Sequence, residues 1–173
     1  MSKRDLKKYL NSLTKEQLEA QFAELYEKFP EVKTYYDFVF NPREEKLIAA
    51  AKAKIGNEYF PLKSKRAKLR RSVAQKYIKH FLVLGVDASA IADVMLFTIE
   101  TAQRYSAKRE MKYASFYKSI QTAYEQAVKH VAANGILPQF RERLLAVAAE
   151  TSRQRWENRY EMERLAEAME FMD

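Results

Sequence analysis

The sequence predicts an all-α, single-domain bundle of seven to nine helices, and three observations carry that expectation. Only three glycines and four prolines occur in 173 residues. The chain leans instead on Ala, Leu, Lys, Glu and Gln, which lose little on entering a helix. Apolar residues recur at helical rather than alternating spacing, and cap signals punctuate the chain about every helix length. A hydrophobic content of 47% with 13% aromatics suffices for a packed core and sets disorder aside.

The elements follow in order. Ser2 precedes a short helix carrying Leu6, Tyr9 and Leu10. Thr14 followed by Gln17 is a capping-box pattern, opening a helix with Leu18, Phe22, Leu25, Tyr26 and Phe29 on one stripe. Pro30 starts "EVKTYYDFVF", whose aromatics recur at helical spacing and read as core. "NPREEK" supplies a cap, a proline at the first helical position and early acids, for a helix that ends at Gly56. After the loop "NEYFPLKS" a basic helix is expected over 65–84, closed by Gly85. Asp87 caps "ASAIADVMLFTIETAQRY", apolar enough to be central. Residues 108–133 carry Tyr113, Phe116, Tyr117, Ile120, Tyr124, Val128 and Val131 at helical spacing and end at Asn134-Gly135. Pro138 opens the last stretch, expected to break in "ETSRQR". No repeat, linker or boundary interrupts 1–173, which reads as one domain, although 152–173 has room to stand as a semi-detached helix.

Charge is the informative part of the composition. The net charge is +8, and residues 59–86 contain no Asp or Glu but eight Lys or Arg. Removing those eight leaves 23 bases against 23 acids, so the whole excess sits in that window. Its densest part is "KSKRAKLRR", with Lys63, Lys65, Arg66, Lys68, Arg70 and Arg71. The C-terminal end leans acidic, with Glu157, Glu161, Glu163, Glu167, Glu170 and Asp173 against Arg159 and Arg164.

On a helical wheel starting at 65, Leu69, Val73, Tyr77, Phe81 and Leu84 form the apolar stripe, and Arg66 and Arg70 fall on its meridian. A charge there needs a partner. Cations also crowd a helix start, where the dipole favours anions by roughly 0.3–1 kcal/mol each. Something negative should compensate. One answer is internal: the acidic C-terminal segment folds back over the window. The other is an external phosphate or nucleic-acid backbone, gripped by Lys63, Lys65, Arg66, Lys68 and Arg71, with Arg70 orienting or bridging. Tyr59 and Phe60 could stack on bases, though such rings more often anchor a loop.

Other constellations are weaker. With no cysteine there is no disulfide, thiol nucleophile or Cys-ligated zinc. No catalytic or metal-binding motif stands out, and no cofactor is implied. The charged N-terminus lacks an apolar run, so it does not read as a signal peptide, and no apolar run nears the ~20 residues a span needs. A cytoplasmic location without membrane attachment is expected. "LGVDASAIADVML" has helix-turn-helix spacing, but its second half lacks the polar, basic residues a recognition helix exposes. His80 falls in the apolar stripe and reads as a core histidine; His130 is far from it in sequence. Asp93 and Glu100, seven apart on one helix, could do acid–base work or bind a cation, but such residues more often bond a neighbouring Tyr, Lys or Arg, and Arg70 or His80 on the preceding helix is within reach. The Met-rich tail "LAEAMEFMD" suits packing on the body or on another subunit.

"YYDFVFNP", "RRSVAQKYIKHFLVLGVD", "IADVMLFTIETAQRYS" and "FYKSIQTAYEQAV" together resemble a family of small bacterial proteins catalogued as a domain of unknown function. The resemblance spans most of the chain and implies a stand-alone bacterial helical protein. It implies no activity, cofactor or catalytic residue. The functional expectation is therefore a non-enzymatic binding module whose basic patch engages an anionic partner, nucleic acid or another polyanion. The alternative is a protein-interaction or homo-oligomeric scaffold whose patch is neutralised by its own acidic C-terminal helix.

Overall fold

The computed structural model describes residues 2–63, 66–109 and 111–169. Every regular element among them is helical, and there are nine, as the sequence predicts. The chain divides into two compact units, Met1–Arg43 and Glu44–Asp173.

The first unit holds α1 (Lys3–Asn11), α2 (Lys15–Lys28) and α3 (Pro30–Phe40). Both expected caps form. The Asp5 N–H donates to Ser2 Oγ at 3.2 Å while the Ser2 N–H donates to the Asp5 carboxylate at 3.0 Å. The Gln17 N–H and the Thr14 hydroxyl oxygen, at 3.3 Å, make the same reciprocal arrangement. α2 and α3 pack through an edge-to-face Phe22–Tyr36 contact at 4.7 Å, and Tyr26 Oη donates to the Asp37 carboxylate. The core assignment of the "TYYDFVF" aromatics fails here. No residue of these three helices is buried, and Phe40 is 81% exposed. Three short helices enclose too little volume to remove such rings from water.

The second unit comprises α4 (Glu44–Tyr59), α5 (Arg71–Leu84), α6 (Ala88–Ser106), α7 (Ala114–Ala133), α8 (Leu137–Arg153) and α9 (Arg159–Ala168). α6 is central as expected, packing against α4, α5, α7 and α8. It buries eleven side chains, Ile91, Val94, Leu96 and Ile99 among them. Asp87 caps it through bonds from the Ser89 and Ala90 N–H groups at 2.9 and 3.1 Å. The burial of its N-terminal half disposes of the helix-turn-helix reading. Polar groups inside the unit find carbonyls: Tyr124 Oη donates to Leu144 O at 3.0 Å, and Gln103 Nε2 to Val147 O at 2.7 Å. Burial pushes the Tyr124 hydroxyl well above the usual phenol range.

Helix ends depart from expectation in instructive ways. α4 begins two residues after Pro42 and runs through Gly56 to Tyr59. Burial of Ile55, Glu58 and Tyr59 offsets the ~1 kcal/mol that a mid-helix glycine costs. α7 starts only at Ala114. α5, α7 and α8 all close with a 6→1 bond: Val86 N–H to Phe81 O, Ile136 N–H to Val131 O and Trp156 N–H to Thr151 O, at 3.1, 3.0 and 3.0 Å. The left-handed residue is Gly85 (φ 75°) in the first, Gly135 (φ 66°) in the second and Arg155 (φ 55°) in the third. Two of these ends are announced by glycine; the third is not. Its turn drops Trp156, 2% exposed, against Phe116 and Tyr117 with centroids 5.7 and 5.2 Å away. That contact folds α9 back onto α7 and α8. Met162 and Met169 are fully buried there, so the Met-rich end packs on its own body as far as it is described.

Candidate anion-binding cleft

The basic window is not helical at its start. Residues 66–70 are irregular and α5 begins at Arg71, so the helix expected over 65–84 is corrected to Arg71–Leu84. The cause is the one that made the sequence odd. A first turn of cations, with no side chain to cap it, works against the dipole, and the chain stays irregular up to Arg70, itself the uncapped N-cap. The shared meridian of Arg66, Arg70, Val73 and Tyr77 therefore does not exist, and Leu69 leaves the stripe with φ 54°.

The last turn of α4 holds this segment. Asn57 Oδ1 accepts from the Leu62 N–H at 3.1 Å. The carbonyl of Glu58 accepts from both the Lys68 and Leu69 N–H groups, at 2.9 and 3.1 Å. The Glu58 carboxylate receives Arg70 through Nε at 2.9 Å and Nη2 at 2.8 Å, a two-pronged pair. Glu58 is 7% exposed. The Arg70 hydrogen bonds outweigh its desolvation and hold its carboxyl below the usual range. The anion that answers Arg70 is thus Glu58 on the preceding helix, a residue just outside the acid-free window, and no described carboxylate of the tail pairs with it.

Between α4, the loop and α5 lies a cleft of about 670 Å³. Lys54, Lys63, Arg66, Lys68 and Arg70 line it, with Glu58 the one acid among the described residues, and Val73 and Tyr77 contribute to its apolar wall. Lys54 and Lys63 make no ion pair with any described residue. Four of the six anticipated site residues therefore share one cavity. Lys65 lies outside the described residues, as do Glu170 and Asp173 of the tail. Arg71 does not line the cleft. Its Nη1 donates to the Ser119 carbonyl of α7 at 2.8 Å, tying α5 to α7, and burial lowers its guanidinium from its ordinary value. Lys54 was missed because the acid-free window begins only after Glu58. Its signal was a position one turn before that residue on the same helix.

A second cleft, of about 500 Å³, lies across the loop and shares Pro61 and Leu62 with the first. Tyr59, Phe60, Tyr105, Lys108 and Arg109 line it. Tyr59 is the loop's anchor, 2% exposed, and burial pushes its phenol up to about 12. Phe60 is 42% exposed.

The carboxylates weighed for catalysis are occupied. Arg143 of α8 reaches Glu100 through Nε at 2.6 Å and Nη2 at 2.9 Å, and Asp93 through Nη1 at 2.7 Å. Lys52 of α4 binds the other Asp93 oxygen. The carboxylates thus bond a neighbouring Lys and Arg, as expected, but the partners are Lys52 and Arg143 and not Arg70 or His80. Desolvation raises the Asp93 carboxyl, but the bonds from Lys52 and Arg143 outweigh it, and the group stays below its ordinary value. The Glu100 bond, opposed by desolvation, carries Arg143 above its ordinary value. His80 is exposed on α5, not the core histidine expected. His130 lies against the Ala88 carbonyl, with Nε2 at 2.9 Å. Among the described residues no helix is long and apolar enough to cross a membrane.

A family model matches residues 1–170, nearly the whole chain. This protein belongs to a family of unknown function, DUF6155. The resemblance read in the four quoted segments is therefore borne out. No curated protein and no solved structure matches the chain.

Proposed function

We propose that the protein is a cytoplasmic, non-enzymatic helical module that binds a phosphate-rich polyanion in the cleft between α4 and α5. One observation carries the reading. Among the described residues five bases line the cavity against a single acid, Glu58, and Glu58 is already taken by Arg70. Lys54, Lys63 and Lys68 make no ion pair with any described residue, so three ammonium groups face one concave surface with no described carboxylate answering them. A cavity with low-dielectric walls concentrates that field and attracts a polyanion. The clamp of residues 68–70 on Glu58 supports the same reading, since it holds the loop in place before any ligand arrives.

Fluorescence anisotropy of labelled polyphosphate and labelled DNA over a salt series tests this. Binding at low salt should weaken with a slope of log affinity against log salt near −0.9 per phosphate contact on duplex DNA, about −3 to −4 for this cleft. Absence of binding to either probe at low salt overturns it.

A second reading is favoured by the first unit. Leu18, Phe22, Tyr26, Tyr36 and Phe40 line an apolar groove of about 490 Å³ between α2 and α3, together with Glu19 and Glu27. α1 carries Lys3, Arg4, Lys7 and Lys8 against Asp5 alone. An acid-bearing groove and a basic helix on one unit are self-complementary, as a two-fold contact between two copies requires. Light scattering should then show a dimer that Phe22→Ser reduces to monomer. A wild-type chain that is monomeric at high concentration removes this reading.

A further inference from the structure

We infer that the polyanion is a single-stranded nucleic acid, with a base seated in the second cleft on Phe60 while its phosphates lie along the first. This rests on the reading of the α4–α5 cleft and names its ligand. Two neighbouring rings divide the labour. Tyr59 is buried and anchors the loop; Phe60, next to it, is left 42% exposed in a cavity bordered by two further cations, Lys108 and Arg109. A large apolar ring beside two cations that pair with no described carboxylate is a good arrangement for a ligand that is anionic and aromatic at once.

Tyr105 organises the site. Phe60 stands against it at 5.8 Å and 66° between planes. The Arg109 guanidinium lies over the same ring, 5.2 Å from its centroid, and Nη1 donates to Tyr105 Oη at 3.1 Å. Two stacking surfaces, a phenyl ring and a guanidinium, are thus fixed around one pivot, and both kinds are used to hold splayed bases. The cavity of about 500 Å³ falls in the size range of small-ligand sites. Because Pro61 and Leu62 belong to both clefts, a strand crossing them passes from a charged groove to an aromatic one without leaving the loop. That pairing of backbone charge with sequence-tolerant stacking is how single strands are held. A duplex keeps its base faces inside its own stack, so it could use only the charged cleft. Inorganic polyphosphate has no base to offer.

Anisotropy with oligothymidylate, duplex DNA and polyphosphate of equal phosphate number tests the assignment on the wild-type chain, Phe60→Leu and Phe60→Tyr. Oligothymidylate should bind the wild type tighter than either of the others. Phe60→Leu should lower oligothymidylate affinity about fivefold or more and leave polyphosphate affinity unchanged, which also shows that the variant is folded. Phe60→Tyr should retain binding. If Phe60→Leu leaves oligothymidylate affinity intact, or lowers both ligands alike, the base site is overturned while the charged cleft stands. If the wild type binds no polyanion, both fall.

Discussion

A chain carrying Lys54→Gln, Lys63→Gln and Lys68→Gln together is expected to bind nucleic acid up to about 500-fold more weakly than wild type near 0.1 M salt. Each lysine that meets a phosphate displaces about 0.9 counterion, so at that ionic strength one contact is worth close to a decade and three nearly three decades. The slope of log affinity against log salt should flatten by about 2.7. The fold should not change. All three side chains are exposed, none makes an ion pair with a described residue, and surface substitutions of this kind usually stay within about 0.5 kcal/mol. Thermal melting measured beside the titration separates the effects. A variant that melts like wild type and binds as tightly would remove the α4–α5 cleft from the ligand's path. Arg70 is left alone in this design because it serves the fold: its removal would strand the buried Glu58 carboxylate and release the loop.

Arg143→Ala is expected to give the largest loss of stability among surface-accessible changes, about 2–3 kcal/mol. The guanidinium joins Asp93 and Glu100 at one point, and its side chain is 32% exposed. Deleting one partner of a fully buried pair costs about 3–5 kcal/mol; partial solvation at this site lowers that figure. Asp93 keeps Lys52, whereas Glu100 loses both of its Arg143 bonds. Denaturant unfolding followed by the single tryptophan, Trp156, reports the loss, since burial of that ring depends on the whole α7–α9 corner. Arg143→Lys should recover only part of it, because one ammonium cannot reproduce the two-pronged bond. An Arg143→Ala chain as stable as wild type would mean that the network contributes nothing.

The acid limb follows from the same groups. Asp93 and Glu58 both have carboxyls held below their ordinary values in the folded chain. Their contribution is therefore complete above the unfolded carboxylate range of about 4. It is lost as pH falls through the lower folded values, so stability holds through neutrality and drops only in that acid window.

Much of this architecture was legible before the fold. Caps at Ser2, Thr14 and Asp87 are local chemistry, and they stand where their sequence patterns put them. So do the glycine-closed ends at Gly85 and Gly135. α6 declared its central place because its apolar residues run nearly all the way round. The failures share a cause. Arg155 ends α8 in a left-handed turn that no glycine announces; burial of Trp156 holds it there. Gly56 failed to stop α4 because Tyr59 and Glu58 had buried places waiting beyond it. The aromatics of α3 follow the core pattern and yet stay half-exposed, since periodicity says which face is apolar but not what volume will cover it.

The basic stretch divides along the same line. Sequence alone determined that the whole excess of positive charge lies in residues 59–86, and that cations at a helix start require an answer. Charge and propensity are properties of the chain, readable without a fold. Tertiary structure decided that the helix begins late, that Glu58 supplies the answer for Arg70, that Arg71 turns away to α7, and that Lys54 joins Lys63, Arg66 and Lys68 around one cavity. Those outcomes depend on which groups are brought within a few ångströms of each other and shielded from water, and Coulomb energy and desolvation both vary with distances that sequence spacing does not contain.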